Sequence, residues 1–265
     1  MDKYILFFDI DGTIVDSFNG HKLISKRLRD AFKQLQDNGH LCFLATGRPL
    51  AYLNDDILSV GFDGYVLCNG AVVIKDDKVI RESIFPKDVL IDLVHTLDKN
   101  GNDYFLNYIK EVYFSKNNSE ENELFGNEMI KNGIVYRDYV VEDLVITKIE
   151  INKLEENTIK YLKNMEKEGY VVVWYPKLNY AEITMPNVTK GHIIKEVLEM
   201  LDIPIERSIA FGDGDNDIEM LKTVGHGVAM GNGSNHVKAV ADSITDTCHN
   251  EGIVKELLRL GLITG

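Results

Sequence analysis

Short apolar runs alternate with helical patterns along the first part of the chain. Tyr4 to Phe8 (YILFF) is continuously apolar and short, the pattern of a strand buried on both faces. Residues 26–38 place Leu28, Phe32 and Leu35 on one helical face, with Gly39 as a stop. Residues 40–45 (HLCFLA) predict a second strand, and Thr46-Gly47-Arg48-Pro49 predicts the opening of another helix with Pro49 in its first position. Residues 64–68 (GYVLC) read as a third strand, and VVIKDDKVI as a hairpin turning at Asp76-Asp77. The far end repeats the alternation, with a helix from Lys190 to Leu201, a strand at SIAFG, a helix over Asp217 to Thr223 and a short strand at HGVAM. Strand–helix alternation with nearly continuous apolar strands predicts a parallel sheet covered on both faces.

The middle of the chain has longer and more charged segments. YFLNYIKEVYF, VITKIEI, YVVVWY and YAEIT predict strands, while PKDVLIDLVHTL, ENELFGNEMIKN and LEENTIKYLKNMEKEG predict helices. Pro86 and Pro186 stand near the edges of this stretch, where linkers are expected. The expected organisation is a discontinuous α/β core over residues 1–83 and 185–265, interrupted by a second α/β domain over residues 84–184.

Composition narrows the function classes. A chain of 265 residues is long enough for one large domain or two unequal ones. A formal charge of −13 argues against a nucleic-acid or anionic-membrane surface, but leaves an anionic small substrate open, because a local cation can override the global field. Cys42, Cys68 and Cys248 are widely spaced with no CxxC pair, so they suggest buried free thiols rather than a disulfide framework or a zinc site. The first apolar run is too short for a signal peptide and is broken by Asp9, and no stretch approaches a membrane span. A cytoplasmic protein is expected.

In open parallel sheets, ligands bind beyond the carboxyl ends of the strands. There YILFF ends in Asp9 and Asp11, HLCFLA in Thr46-Gly47, YVLC in Asn69-Gly70, and SIAFG in Asp213, Gly214, Asp215, Asn216 and Asp217. Carboxylates gathered on one rim repel one another unless a cation sits among them, and an all-oxygen set favours Mg²⁺. The Asp-x-Asp-Gly-Thr spacing lets both carboxylates face one site, one to attack phosphorus and one to carry a proton, with Gly12 permitting the turn. Taken alone, the same spacing equally describes a solvated strand end or an Asx turn. Lys190, Thr46 and Asn216 alone read as a surface lysine and helix caps. Asp213, Asp215 and Asp217 mimic the start of an EF-hand loop, but Ile218 stands where its glycine belongs and Val224 where its glutamate belongs. Phosphate-cradle and nucleophile-elbow motifs are absent.

These segments, in this order, resemble the haloacid dehalogenase superfamily of aspartate-nucleophile phosphotransferases. Its DxDGT motif matches Asp9 to Thr13, its second-motif threonine matches Thr46 in ATGR, its lysine matches Lys190 in NVTKGHII, and its GDxxND matches Gly212 to Asp217. The ATGR, NGA and GDGDNDIEML wording is most similar to the Cof-type (class IIB) sugar phosphatases, whose large α/β cap lies where the insertion lies here. The resemblance implies a Rossmann-like parallel-sheet core with an inserted α/β cap that closes over it and sets specificity. It implies Asp9 as nucleophile, Asp11 as acid and base, and Mg²⁺ held by Asp9, the Asp11 carbonyl and Asp213, with Asp217 behind them. Ile10, Thr46, the Gly47 amide, Lys190 and Asn216 would hold the phosphoryl group.

The implied activity is hydrolysis of small phosphomonoesters, sugar phosphates first, through an aspartyl-phosphate. A phosphomutase of the same superfamily and a non-catalytic metabolite-binding regulator are the rivals. A monomer is expected, with neither nucleic acid nor membrane as partner. Arg48 could meet substrate or cap, or be a solvated residue at a helix start. His192, His226 and His236 have no carboxylate or cysteine at metal spacing and read as structural or exposed. Tyr104, Tyr108, Trp174 and Tyr180 read as core or sheet-face aromatics of the insertion, one or two of which could line a pocket.

Overall fold

The computed structural model describes residues 3–16, 20, 23–116 and 119–265. The chain divides into two compact units. One comprises the stretch up to Gly47, Asp55–Ile80 and Thr189–Gly265; the other comprises Arg48–Asn54 and Arg81–Val188.

The first unit opens with β1 (Ile5–Phe8), α1 (Lys26–Asp37), β2 (Leu41–Ala45), α2 (Asp55–Leu58), β3 (Gly64–Leu67) and β4 (Val72–Lys75), and β5 (Lys78–Glu82) leads out of it. Ser25 starts α1 by accepting the Leu28 amide on its hydroxyl at 3.0 Å. The helix buries the stripe Leu28, Ala31, Phe32 and Leu35. The expected hairpin forms, with Asp76 and Asp77 both at positive φ, as its tight turn requires.

The second unit contains α3 (Lys87–Lys99), β6 (Asp103–Tyr108), β7 (Glu111–Phe114), α4 (Glu120–Met129), β8 (Ile134–Tyr136), β9 (Lys148–Asn152), α5 (Glu156–Lys167), β10 (Val171–Tyr175) and β11 (Tyr180–Thr184). The chain then returns to the first unit through α6 (Lys190–Met200), β12 (Ser208–Gly212), α7 (Ile218–Thr223), β13 (His226–Ala229), α8 (Asn235–Lys238), β14 (Ser243–Ile244) and α9 (Gly252–Arg259).

The first unit's sheet has the order β14-β13-β12-β1-β2-β3-β4-β5. Its strands run parallel from β14 to β3, and only β4 turns back against β3. Alternation along β1 sends Ile5 and Phe7 to a core shared with Ile193 and Val197 of α6 and Met220 and Leu221 of α7. On the opposite face Phe8 meets Phe32 of α1 edge-on at 5.0 Å and stacks on Phe211 at 5.2 Å. Burial on both faces explains why these strands read as unbroken apolar runs.

The second unit's sheet has the order β10-β11-β9-β6-β7-β8, antiparallel except where β8 joins β7. One face packs Leu90, Leu93 and Leu97 of α3 and Leu162 and Met165 of α5 on Tyr104, Leu106, Ile149, Ile151 and Ile183.

Three expectations change. The segment after Thr46 is a single 3-10 turn, Leu50–Tyr52, with Pro49 as its cap rather than its first residue. Its backbone is occupied elsewhere: the Ala51 amide donates to the Ile109 carbonyl, and the Ala51 carbonyl accepts from Lys131 and Asn132. YFLNYIKEVYF is a hairpin, turning where Ile109 takes a positive φ. Cys248, expected to be buried with the other thiols, is only half-buried. Among the described residues no helix is long and apolar enough to cross a membrane.

Candidate active site

Asp9 directly follows β1, and its amide donates to the Phe211 carbonyl at 3.0 Å, carrying the β1–β12 ladder one residue further. The carboxylate therefore emerges at the carboxyl end of the central strand, the rim at which open α/β sheets bind ligands. The chain then winds tightly, with the Ile10 carbonyl accepting the amides of Thr13, Ile14 and Val15. The Ile10 side chain is buried, while Asp11 is half-exposed and bridges in backbone pairing to Val15.

Gly12 has φ +87°, and a Cβ there would lie 2.1 Å from Asp213 Oδ2. Only glycine meets both the backbone and the space requirement. Thr13 donates its hydroxyl to Asp213 Oδ1 at 2.9 Å, tying the turn after β1 to the turn after β12.

Lys190 is the first residue of α6, whose cap is the Thr189 hydroxyl accepting the His192 amide at 3.2 Å. Its ammonium is fully buried and lies 2.6 Å from Asp9 Oδ1 and 2.7 Å from Asp217 Oδ1. The next residue, Gly191, lets α6 approach α7, since a Cβ there would be 2.6 Å from the Glu219 backbone. Asp217 also accepts the amides of Asp213 at 3.0 Å and Gly214 at 2.9 Å on its other oxygen. Both of its oxygens are thus committed, one to the lysine and one to the loop that presents Asp213.

Thr46 continues β2, its amide donating to Val66 and its carbonyl accepting from Asn69. Asn216 donates to Asn69 Oδ1 at 3.2 Å. Asn69 itself sits in the left-handed region at φ 56°, next to Cys68 at φ 53°. That aims its amide at Asn216 and along Gly47, whose added Cβ would be 3.1 Å from it.

The electrostatics follow from burial. Burial pulls the Lys190 ammonium down, but Asp217 and Asp9 outweigh it and hold the lysine above its ordinary range. Burial pushes the Asp9 carboxyl well up; Lys190 opposes this, while Asp217, Asp213 and Asp11 add to it. Asp213 is pushed up to about 7, first by burial and then by Asp217. Oxygens of Asp9, Asp213 and Asp217 all lie within 4.8 Å of one another. Three carboxylates with one lysine leave an excess of buried negative charge, and an all-oxygen donor set suits a hard divalent cation.

Of the residues singled out in the sequence, Asp9, Asp213, Asp217 and Lys190 meet directly, and Asn216 and Gly47 meet through Asn69. Arg48 belongs to the second unit, where its guanidinium donates to the Tyr52 carbonyl at 3.3 Å. His192, His226 and His236 each face one carboxylate, Glu196, Glu256 and Asp215, and none belongs to a metal-capable group among the described residues. Tyr104 is a core residue donating to Asp98, and Trp174 flanks the same core and donates to Glu166. Two residues were missed. Thr13 stood inside the quoted motif without a role. Asn232, which donates to the Gly12 carbonyl at 2.7 Å, lies just past the end of β13, so the strand-end rule would have found it.

A buried lysine thus bridges two aspartates at the carboxyl rim of a parallel α/β sheet, with a third carboxylate beside it. The chain belongs to the haloacid dehalogenase-like hydrolases, whose family model matches residues 6–257. It is a phosphatase of the Cof type within that family. It is 31% identical over 268 residues to 5-amino-6-(5-phospho-D-ribitylamino)uracil phosphatase YitU of Bacillus subtilis, covering 96% of each chain. Among solved structures it is similar to the subclass IIB sugar phosphatase BT4131, with TM-score 0.84 and 27% identity over 98% of this chain and 100% of that one. Phosphatase BT1666 from Bacteroides thetaiotaomicron superposes with TM-score 0.82 at 28% identity, over 98% and 96% of the two chains.

Proposed function

We propose that the protein hydrolyses phosphomonoesters of small polyhydroxylated metabolites, sugar phosphates first, through a phosphoryl group carried on Asp9. The observation that carries this reading is the buried Asp9–Lys190–Asp217 chain with Asp213 beside it. Asp9 attacks phosphorus, the bond to the leaving oxygen breaks, and Asp11 delivers a proton to that oxygen. Water, losing its proton to Asp11, then displaces Asp9 and inorganic phosphate leaves. Lys190 keeps Asp9 oriented and, with Thr46, the Gly47 and Ile10 amides and Asn216, meets charge spreading over the phosphoryl oxygens. Asp217 holds the lysine and the Asp213 loop in register.

The donor set fits Mg²⁺, which Asp9, the Asp11 carbonyl and Asp213 would hold. When bound, it would offset phosphoryl charge and keep Asp9 ionised.

Choice of leaving group is assigned to the inserted domain, residues 84–184, which lies within the second unit. Its sheet carries a polar face in mid-strand. Lys148 contacts Glu150 and lies 3.2 Å from Glu182 Oε1, while Tyr180 donates to Glu182 at 2.9 Å. Asn107, paired in register with Lys148, is fully buried, and neither polar atom of its side chain has a partner among the described residues. A buried amide left unpaired costs about 1–3 kcal/mol, which a substrate hydroxyl would recover.

The test is Asp9→Asn. It is expected to abolish phosphate release from para-nitrophenyl phosphate, by roughly four to six orders of magnitude, with an unchanged circular-dichroism spectrum. Undiminished turnover would remove Asp9 from the mechanism. Strict dependence on a bisphosphate activator in single-turnover runs, with little phosphate released, would instead establish a mutase.

A further inference from the structure

A second group of metal-ligating side chains lies in the first unit, and the phosphatase reaction uses none of them. Asp16, Cys248 and His249 bring a carboxylate oxygen, a thiol sulfur and an imidazole nitrogen all within 4.8 Å of one another. His249 Nε2 is 2.9 Å from Asp16 Oδ2 across 233 residues of chain, so the fold alone assembles the trio. Asp16 is buried, Cys248 half-buried and His249 exposed, which leaves an approach from solvent on the histidine side.

The segment bearing the thiol and imidazole is well anchored. Cys248 and His249 lie in a 3-10 turn just before α9. The Cys248 amide donates to Asn232 Oδ1 at 3.0 Å. Behind it Asp246 accepts the Thr247 amide at 2.7 Å and pairs with Lys255 at 2.6 Å. A ligand set on such a frame loses little freedom when a metal arrives.

The donor chemistry differs from that at Asp9. One sulfur, one nitrogen and one oxygen suit a borderline transition cation in a tetrahedral site with an open fourth position, and suit Mg²⁺ poorly. Tetrahedral zinc holds its sulfur, nitrogen and oxygen ligands about 3.3–3.6 Å from one another. The 2.9 Å His249–Asp16 separation and the 4.8 Å outer bound bracket that spacing.

We infer that Asp16, Cys248 and His249 bind one Zn²⁺, separately from the acidic cluster at Asp9. On binding, Cys248 releases its thiol proton to solvent, and the His249–Asp16 hydrogen bond is exchanged for two metal bonds. The loaded site would join the turn after β1 to the loop before α9.

The test uses Co²⁺ as a spectroscopic stand-in on the full chain, with Mg²⁺ in large excess to occupy the all-oxygen cluster. Wild-type protein is expected to develop a thiolate-to-cobalt charge-transfer band that saturates at one equivalent and is removed by stoichiometric Zn²⁺. Cys248→Ser is expected to abolish the band, and His249→Ala and Asp16→Asn to weaken cobalt binding at least about tenfold. Cys42 and Cys68 are buried and cannot supply the band. Cys248→Ser and His249→Ala alter a surface turn, and both should turn over para-nitrophenyl phosphate as the wild type does. A wild-type protein without the band, or a band that survives in Cys248→Ser, overturns the proposal. Neither result depends on the phosphatase mechanism, because the readout is absorption and not turnover.

Discussion

The two sheets place their polar residues in opposite ways. In the first unit the strands are apolar to their ends, and Asp9, Thr46 and Asp213 come one residue beyond β1, β2 and β12. In the second unit polar residues sit inside the strands. Lys148-Ile149-Glu150-Ile151-Asn152 and Tyr180-Ala181-Glu182-Ile183-Thr184 alternate, with isoleucines and alanine facing α3 and α5. A sheet covered on both faces has room for polar groups only at strand ends, where main-chain amides and helix starts converge. The second sheet has α3 and α5 on one face and, on part of the other, α4 and the Leu50–Tyr52 turn against Phe105 and Phe114, and its mid-strand polar groups are buried beside that second apolar cluster. The first arrangement gives a small number of groups held in fixed geometry, which suits one reaction. The second gives a buried polar cluster, in which Lys148 pairs with Glu150 and Glu182 and Tyr52 donates to Glu150 at 2.8 Å.

That contrast can be broken most forcefully at Lys190. Lys190→Met should lower kcat by about 10²–10³-fold for every phosphate ester, because the role proposed for it lies at the common phosphoryl group. A loss confined to some substrates would contradict the division of labour. Gly12→Ala comes next. The strained φ and the clash with Asp213 should displace the turn and reduce kcat by up to about 10²-fold, again for all substrates alike. Asn107→Leu should separate the units in the other direction. It is expected to change kcat/KM ratios among sugar phosphates by about tenfold while leaving para-nitrophenyl phosphate unaffected. Equal loss on both would place Asn107 in the fold rather than in recognition.

The smallest effect concerns pH. The Asp213 and Asp9 carboxyls are raised in the folded protein, so the native state holds protons that the unfolded chain has released. The contribution of Asp213 to stability is present in full below about 4 and is lost as pH rises through about 7. Mg²⁺ held there, as proposed, would compete with those protons. It should raise Tm by a few degrees more at pH 8 than at pH 5, at about 2–4 °C per kcal/mol for a chain of this size. An equal gain at both values would detach the acidic cluster from cation binding.

Much of this molecule is legible in its sequence. Apolar runs and periodic helices located most of the elements, because burial on two faces or one stripe leaves a pattern that local reading detects. Asp9, Thr46, Asn69 and Asp213 were legible for a related reason, since they follow strand ends, whereas Lys190 opens a helix and was singled out only by the family resemblance. The segment after Thr46 was not legible, because the Ala51 backbone is claimed by Ile109, Lys131 and Asn132, all distant in the chain. Asn69 stood at a strand end, but its link to Asn216 depends on two successive left-handed residues, and Cys68, the first of them, is of a type that rarely takes that conformation.

By itself the sequence determined which strands are buried, where each ends, and that acids and a threonine follow those ends in a fixed order. These are local properties of hydrophobic pattern and spacing. Only the tertiary structure decided that Lys190 lies between Asp9 and Asp217, that Asn107 is buried without a partner among the described residues, and that Asp16 meets Cys248 and His249. Each of these depends on segments far apart in the chain converging at one point, and convergence is a property of packing that no local pattern encodes.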